Sequence, residues 1–226
     1  MSETIVVAID GPAGSGKSTT AKKLADKLGF IYLDTGAMYR CVALASVKRN
    51  IDLLNEEAVC EVARSIDINI VPGDNSYSVL LDGVDVSLAI REPAMDEGSS
   101  KVSSYKMVRE AMVEIQQSFA GKGNVVAEGR DMGTVVFPNA AVKIFLVADL
   151  GVRAIRRTKQ LIEAGLETSV NDQTTSLESR DISDSSREHS PLKKADDAIE
   201  VDTTNLTLEA QVEKIHQIVM ERIGNR

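Results

Sequence analysis

Cysteine is scarce, with only Cys41 and Cys60 in 226 residues. Two thiols cannot staple a chain of this size. Cys41 follows an apparent helical stripe and Cys60 lies between Val59 and Val62, so reduced, packed thiols are expected. No run approaches the ~20 apolar residues needed to span a bilayer. The opening Met1-Ser-Glu-Thr also lacks the basic and apolar regions of a secretory signal. The reading is a cytoplasmic protein with no membrane partner. Excess basic charge is missing too: 26 Lys and Arg stand against 34 Asp and Glu, for a net charge of -8. That argues against general affinity for nucleic acid, while leaving room for a local basic cluster around a small phosphate-bearing substrate. The two histidines, His189 and His216, have no partner motif and read as surface residues. No heptad or long exposed apolar stripe asks for a second copy, so a monomer is expected, and there is no internal repeat or low-complexity tail.

What is present suits one compact α/β unit, or one core carrying small inserted subdomains, at 43% apolar composition. Thr4 to Asp10 is a β-branched run ending at a glycine-rich turn, the mark of a buried parallel strand. Ala21, Leu24, Ala25 and Leu28 then fall at helical spacing, with Gly29 as the stop. Ile31 to Leu33 reads as a second strand, and a helix is expected from about Ala37 to Lys48. Ile66, Ile68 and Ile70 alternate with polar residues, Pro72-Gly73-Asp74-Asn75 turns the chain, and Tyr77 to Leu81 leads to the hairpin signal Asp82-Gly83. A small antiparallel sheet inside a βα framework suggests an insert over about 41 to 95. Helical periodicity resumes at Val108, Ala111, Met112, Ile115 and Phe119, before strands at Asn124 to Ala127 and Val142 to Val147. A polar helical region covers about Gly151 to Glu188 with a break near Gly165 to Asp172. A strand at Ala198 to Val201 and a helix carrying Leu208, Val212, Ile215 and Val219 close the chain.

Gly11-Pro12-Ala13-Gly14-Ser15-Gly16-Lys17-Ser18 satisfies G-x-x-x-x-G-K-[ST] between a predicted strand and a predicted helix. From average residue frequencies, a chance match in a chain this long is about 1 in 100. Backbone N–H groups of such a loop cradle phosphate oxygens, Lys17 reaches the β and γ phosphates, and Ser18 ligates Mg²⁺. ATP or GTP binding follows. A GTP switch would also need N-K-x-D, which is absent. Asp149 at a strand end resembles a water-polarising acid, but Leu150-Gly151 and a helix follow at once, so it reads as an N-cap.

A small-molecule kinase needs a second cluster for the acceptor phosphate. Thr35 and Arg40 follow the second strand about one helical turn apart, a pair that grips phosphate or merely caps and solvates a helix. Glu128-Gly-Arg130-Asp131 leaves the carboxyl end of a strand, where open α/β sheets bind ligands. Arg180, Asp184 and Arg187 occupy i, i+4 and i+7, and Arg153, Arg156 and Arg157 also share a face; either set serves as a surface ladder or as cations for two facing phosphate chains.

The chain resembles the bacterial cytidylate kinases nearly end to end. The resemblance rests on Ile9 to Thr19, Leu33 to Arg40, Glu128-Gly-Arg-Asp-Met-Gly-Thr-Val-Val-Phe-Pro138, Val142 to Leu146, Arg180-Asp-x-x-Asp184-x-x-Arg187, Ser190 to Ala198 and Val201 to Thr204. The G-R-D-M-G-T and S-P-L segments separate it from adenylate and guanylate kinases. The resemblance implies the α/β fold of the P-loop nucleoside monophosphate kinases: a parallel core sheet flanked by helices, with an inserted monophosphate-binding subdomain and a short lid. Its core would be about 1–40, 96–152 and 188–226, its insert about 41–95 and its lid about 153–187. Implied substrates are ATP, held by Gly11 to Thr19 with Mg²⁺, and CMP or dCMP. Arg40, Arg130 and Arg187 would hold the acceptor phosphate with Thr35, while Ser100, Arg109 and Asp131 read the base. Arg180 and Asp184 would contact the ribose, and Arg153 and Arg157 the donor phosphates. Lys17, Arg130, Arg153, Arg157 and Arg187 would form the catalytic set. No general base is demanded, because the acceptor is already an anion.

Overall fold

The computed structural model describes residues 4–72 and 77–224; the expected turn at 72–75 falls largely on residues 73–76, outside the described residues. The chain divides into two compact units, one of residues 1–31 and 124–226 and the other of residues 32–123.

The first unit is built on β1 (Val6–Asp10), every residue of which is buried. A strand buried on both faces has no use for polar alternation, which is why its sequence reads as a continuous apolar run. It runs parallel to β6 (Val125–Gly129), with Asp10 in register with Gly129, and to β7 (Val142–Val147), with Ile9 in register with Ile144. β8 (Ile199–Asp202) continues the sheet parallel to β7. The strand order within this unit is β6-β1-β7-β8, and Ile31, the first residue of β2 (Ile31–Asp34), donates its N–H to the Asn124 carbonyl at 2.8 Å.

Helix α1 (Lys17–Leu28) buries Ala21, Leu24 and Ala25, and Gly29 ends it in the left-handed region, φ 67°. It packs on β6 and on the last helix, α8 (Leu208–Gly224). The long polar region becomes two packed helices, α6 (Leu150–Glu163) and α7 (Val170–Ser186). The Asp149 carboxylate caps α6 through the Gly151 N–H at 2.8 Å, as the sequence indicates. Ser169 and Asp172 cap α7 reciprocally: Ser169 Oγ accepts the Asp172 N–H, and Asp172 Oδ2 accepts the Ser169 N–H. Leu150, Ala154 of α6 and Leu177 of α7 pack against Ala13, which couples this helix pair to the glycine loop.

The second unit, 32–123, extends beyond the 41–95 stretch on both sides. Helix α2 (Thr35–Lys48) begins where the Asp34 carboxylate accepts the Ala37 N–H at 2.8 Å. Strands β3 (Ile68–Pro72), β4 (Tyr77–Leu81) and β5 (Val84–Asp85) form an antiparallel sheet. Asp82 (φ 51°) and Gly83 (φ 80°) make the tight β4–β5 turn that the Asp-Gly pair predicts. Two helices had no signature long enough to announce them. In α3 (Glu56–Ser65) the buried set Val59, Cys60, Val62 and Ala63 covers under two turns, and α4 (Pro93–Val102) carries Gly98 and consecutive serines. α2 packs on both, and α3 packs on α5 (Lys106–Ala120). Cys41 and Cys60 are buried free thiols; burial pushes Cys41 up to about 12, with Asp34 adding to it and Arg40 opposing.

Candidate active site

In the first unit the loop after β1 turns back on itself: the Ser15 Oγ donates to the Pro12 carbonyl at 3.0 Å, and Lys17 Nζ donates to the same oxygen at 2.7 Å. Gly11 (φ +149°) lies against β7, and a Cβ there would sit 2.2 Å from the Leu146 carbonyl oxygen. Gly11→Ala is therefore expected to cost about 3 kcal/mol or more by chemical denaturation, because backbone rather than a movable side chain blocks the space. Helix α1 starts at Lys17, so its first N–H groups lie where the loop opens.

Lys17 is 5% exposed. Burial first and then the Arg130 guanidinium bring its amine down to about 7, against the Glu128 and Asp184 carboxylates, which raise it. Ser18 donates its hydroxyl proton to Glu128 Oε1 at 2.6 Å. Behind the loop, the Gln211 amide donates to Thr20 Oγ1, and Thr203 Oγ1 donates to the Ser15 and Val147 carbonyls. Arg156 donates to the Thr203 carbonyl at 2.6 Å and so braces this wall. Arg153, buried on α6, donates to the Ala13 carbonyl at 3.0 Å and to Asp181 Oδ2 at 2.7 Å. Arg157 donates to Gln160 one turn along α6.

The turn after β6 and the end of α7 converge. Arg130 Nε donates to Asp184 Oδ2 at 2.7 Å, and Arg187 Nη2 lies 3.7 Å from Asp184 Oδ1. Burial pushes the Asp184 carboxyl up, but Arg130 first and then Arg187 outweigh it and hold the carboxyl below its ordinary value. Burial likewise pulls Arg130 down, and Asp184, helped by Glu128 and Asp181, holds it above its ordinary value. Arg180 adds positive potential at Asp184. Arg187 is the residue capping α7 (φ -57°, ψ 136°), one step beyond the regular helix on which its i+7 spacing placed it. The Leu192 N–H donates to the Asp184 carbonyl at 2.8 Å and anchors the S-P-L segment there. Asp131 is 2% exposed and precedes a single π-helical turn, Met132–Val136.

In the second unit Thr35 opens α2, and Arg40 one turn on donates through Nε and Nη2 to Asp96 Oδ1 of α4 at 3.1 and 2.9 Å. Arg109 of α5 is 4% exposed; it donates to the Ser103 carbonyl at 3.1 Å, and its guanidinium lies 5.4 Å from the Tyr39 ring centroid. Ser100 lies half-buried on α4, and the hydroxyls around it turn inward, Ser99 to the Asp96 carbonyl and Ser103 to that of Ser100.

A family model described as cytidylate kinase matches residues 7–221. The chain belongs to the cytidylate kinase family. A cytidylate kinase of Lactobacillus gasseri is 48% identical over 219 residues, 97% of this chain and 95% of that one. A Bacillus anthracis cytidylate kinase is 46% identical over 220 residues, 97% and 98% of the two chains. Among solved structures, a Sinorhizobium meliloti gluconokinase superposes with a TM-score of 0.51 at 12% identity, covering 100% of this chain and 97% of that one. A Thermus thermophilus protein reaches 0.50 at 17% identity, covering 98% and 99%. At such identities the likeness concerns the fold alone.

Within this cytidylate kinase family member, the first unit brings Lys17, Ser18, Arg130, Asp184 and Arg187 into one charged network, with Arg153 beside the glycine loop. Sequence reasoning gave no role of their own to four acids that pair with these groups: Asp10, Glu128, which it placed at a strand end only as the neighbour of Arg130, Asp181 and, in the second unit, Asp96. For Asp10 and Glu128 a signal existed, since each is a lone carboxylate closing an otherwise apolar strand. For Asp96 and Asp181 none did, because helical acids among polar neighbours look like solvated surface. Among the described residues, no helix is long and apolar enough to cross a membrane.

Proposed function

We propose that the protein transfers the γ-phosphoryl group of ATP to CMP or dCMP, giving ADP and CDP or dCDP. The observation that carries the reading is the family match over residues 7–221, in a chain whose loop lysine lies within the electrostatic reach of an arginine–carboxylate cluster. Phosphoryl transfer asks the protein mainly for positioning and for cations around developing charge. In this reading Gly11 to Thr19 hold the donor and Arg153 and Arg157 its phosphates. Arg40, Arg130, Arg187 and Thr35 hold the acceptor phosphate, and Arg180 and Asp184 the ribose. Lys17 follows the charge as it moves between the two chains.

The Ser18 hydroxyl, 2.6 Å from the Glu128 carboxylate, is a hard-oxygen pair that suits Mg²⁺ held mostly by nucleotide phosphates. When bound, the ion would neutralise donor phosphate charge. The acidic balance speaks for a small-molecule substrate rather than nucleic acid, and the buried free thiols suit the cytoplasm. A monomer is sufficient for this reading.

The base reading assigns Asp131 to accept from the cytosine N4 amino group and Arg109 to donate to N3 or O2, with Ser100 assisting. Uracil presents O4 where cytosine presents N4, so Asp131 would meet an unpaired lone pair, a mismatch of about 1–3 kcal/mol. Asp131→Asn is expected to narrow the CMP preference over UMP by about ten- to a hundredfold in kcat/KM; an unchanged ratio sinks the assignment. The function itself is tested by ADP release from Mg²⁺-ATP with CMP, dCMP, UMP, AMP or no acceptor. Fast release with CMP and dCMP, slower with UMP and near zero without acceptor, supports the reading. Release independent of acceptor would make the protein an ATPase, and faster release with another acceptor would make it a related kinase.

A further inference from the structure

Asp10 closes β1 and is 4% exposed, yet it carries an acidic side chain into the sheet's end. Its Oδ1 accepts the Met132 N–H and its Oδ2 the Gly133 N–H, both at 2.8 Å. These two amides open the single π-helical turn, so the turn itself provides them with no partner. They follow directly on Arg130 and Asp131. Asp10 is also in register with Gly129, the residue before Arg130, so strand pairing and side chain grip the same short segment from one position. The approach is close: a Cβ on Gly133 would stand 3.4 Å from Asp10 Oδ2 and 3.2 Å from the Lys143 stem. Burial pushes the Asp10 carboxyl up to about 6, the Gly133 and Met132 amides pull it back, Asp131 raises it and Lys17 lowers it. A buried anion beside another carboxylate is costly to keep, and a polar residue of no consequence would be replaceable by an apolar one in this strand.

We infer that Asp10 is a positioning residue: its two carboxylate oxygens hold the Met132 and Gly133 amides and thereby set how Arg130 and Asp131 are presented to the acceptor nucleotide. The inference rests on the CMP reading above. Its next neighbour, Gly11, begins the phosphate loop, so a role in holding that loop is the competing account. The hydrogen bonds favour the acceptor side, because both Asp10 oxygens are taken by the amides while Lys17 of the loop donates to Pro12.

The test is Asp10→Asn, which keeps shape but offers one acceptor and one donor to two donors, alongside Asp10→Ala, which offers neither. For Asp10→Asn, kcat/KM for CMP is expected to fall about 30-fold, and the CMP preference over UMP about fivefold, with ATP affinity by equilibrium titration unchanged. Asp10→Ala should lose more on both acceptor readouts. A folded Asp10→Asn enzyme with the wild-type CMP-to-UMP ratio would overturn the inference. So would a loss of ATP affinity equal to the loss in CMP efficiency, which would assign Asp10 to the donor loop. The wild-type protein measured alongside keeps the two levels apart: absence of CMP turnover there would remove the kinase reading on which the inference rests.

Discussion

Lys17→Met is expected to lower kcat by about 10³-fold while leaving the folded protein at least as stable. The two effects separate because the lysine is placed for phosphate rather than for the fold. Its amine is buried, donates to the Pro12 carbonyl, and is driven down to about 7 by burial and then by Arg130. With phosphate present the ammonium form gains the counter-charge it lacks, and it is this charge that methionine cannot supply. The sign of the pH dependence follows from linkage. The folded amine titrates near 7 against an ordinary 10.5, so between those values the unfolded chain binds more protons and stability rises with pH. The penalty is fully present below about pH 7, and the methionine variant lacks it. Thermal melts at pH 7 and 9 for both proteins, with ADP release in parallel, check the prediction. A variant that melts well below the wild type at pH 7 would mean that the ammonium group supports the fold.

Arg130→Met is expected to harm both properties, costing about 3 kcal/mol of stability and at least about 10²-fold in kcat/KM for CMP. The guanidinium donates to Asp184 at 2.7 Å, and Asp184 is 5% exposed, so methionine leaves a buried carboxylate without its hydrogen-bonded cation, with Arg187 at 3.7 Å and the field of Arg180 in partial compensation. Stability and activity then respond differently to a second change. Arg130→Met with Asp184→Asn should regain much of the stability, because no buried anion remains, and none of the activity. In the wild type the Asp184 carboxyl is held below its ordinary 3.8, so its contribution is complete above that value and is lost as pH falls through the lower folded value. The single variant should lose that acid-side contribution. Urea titrations of the three proteins at pH 7 decide the matter; a double variant no more stable than the single one would show that the pair does not act as an ion pair.

The architecture of the first unit was legible because its signals are local. A buried parallel strand reads as an apolar run up to its end, the phosphate loop closes on Gly16-Lys17-Ser18, and α6 starts on the capping acid Asp149. The hairpin at Asp82-Gly83 declared itself for the same reason, since two consecutive residues at positive φ restrict the sequence. Helices α3 and α4 were illegible because short amphipathic segments take their stability from the α2 surface they pack on, and that surface is absent from a local window.

At the site, residue types and spacing single out Lys17, Ser18, Arg130, Asp131, Arg180, Asp184 and Arg187. The inventory of charges and the strand ends that carry them can be read along the chain. The pairings arise in the folded protein: Arg130 with Asp184 across 54 positions, Ser18 with Glu128 across 110, and Asp10 with the Met132 amide across 122. A hydrogen bond depends on distance and direction in space, and sequence separation constrains neither once strands run parallel and their ends meet.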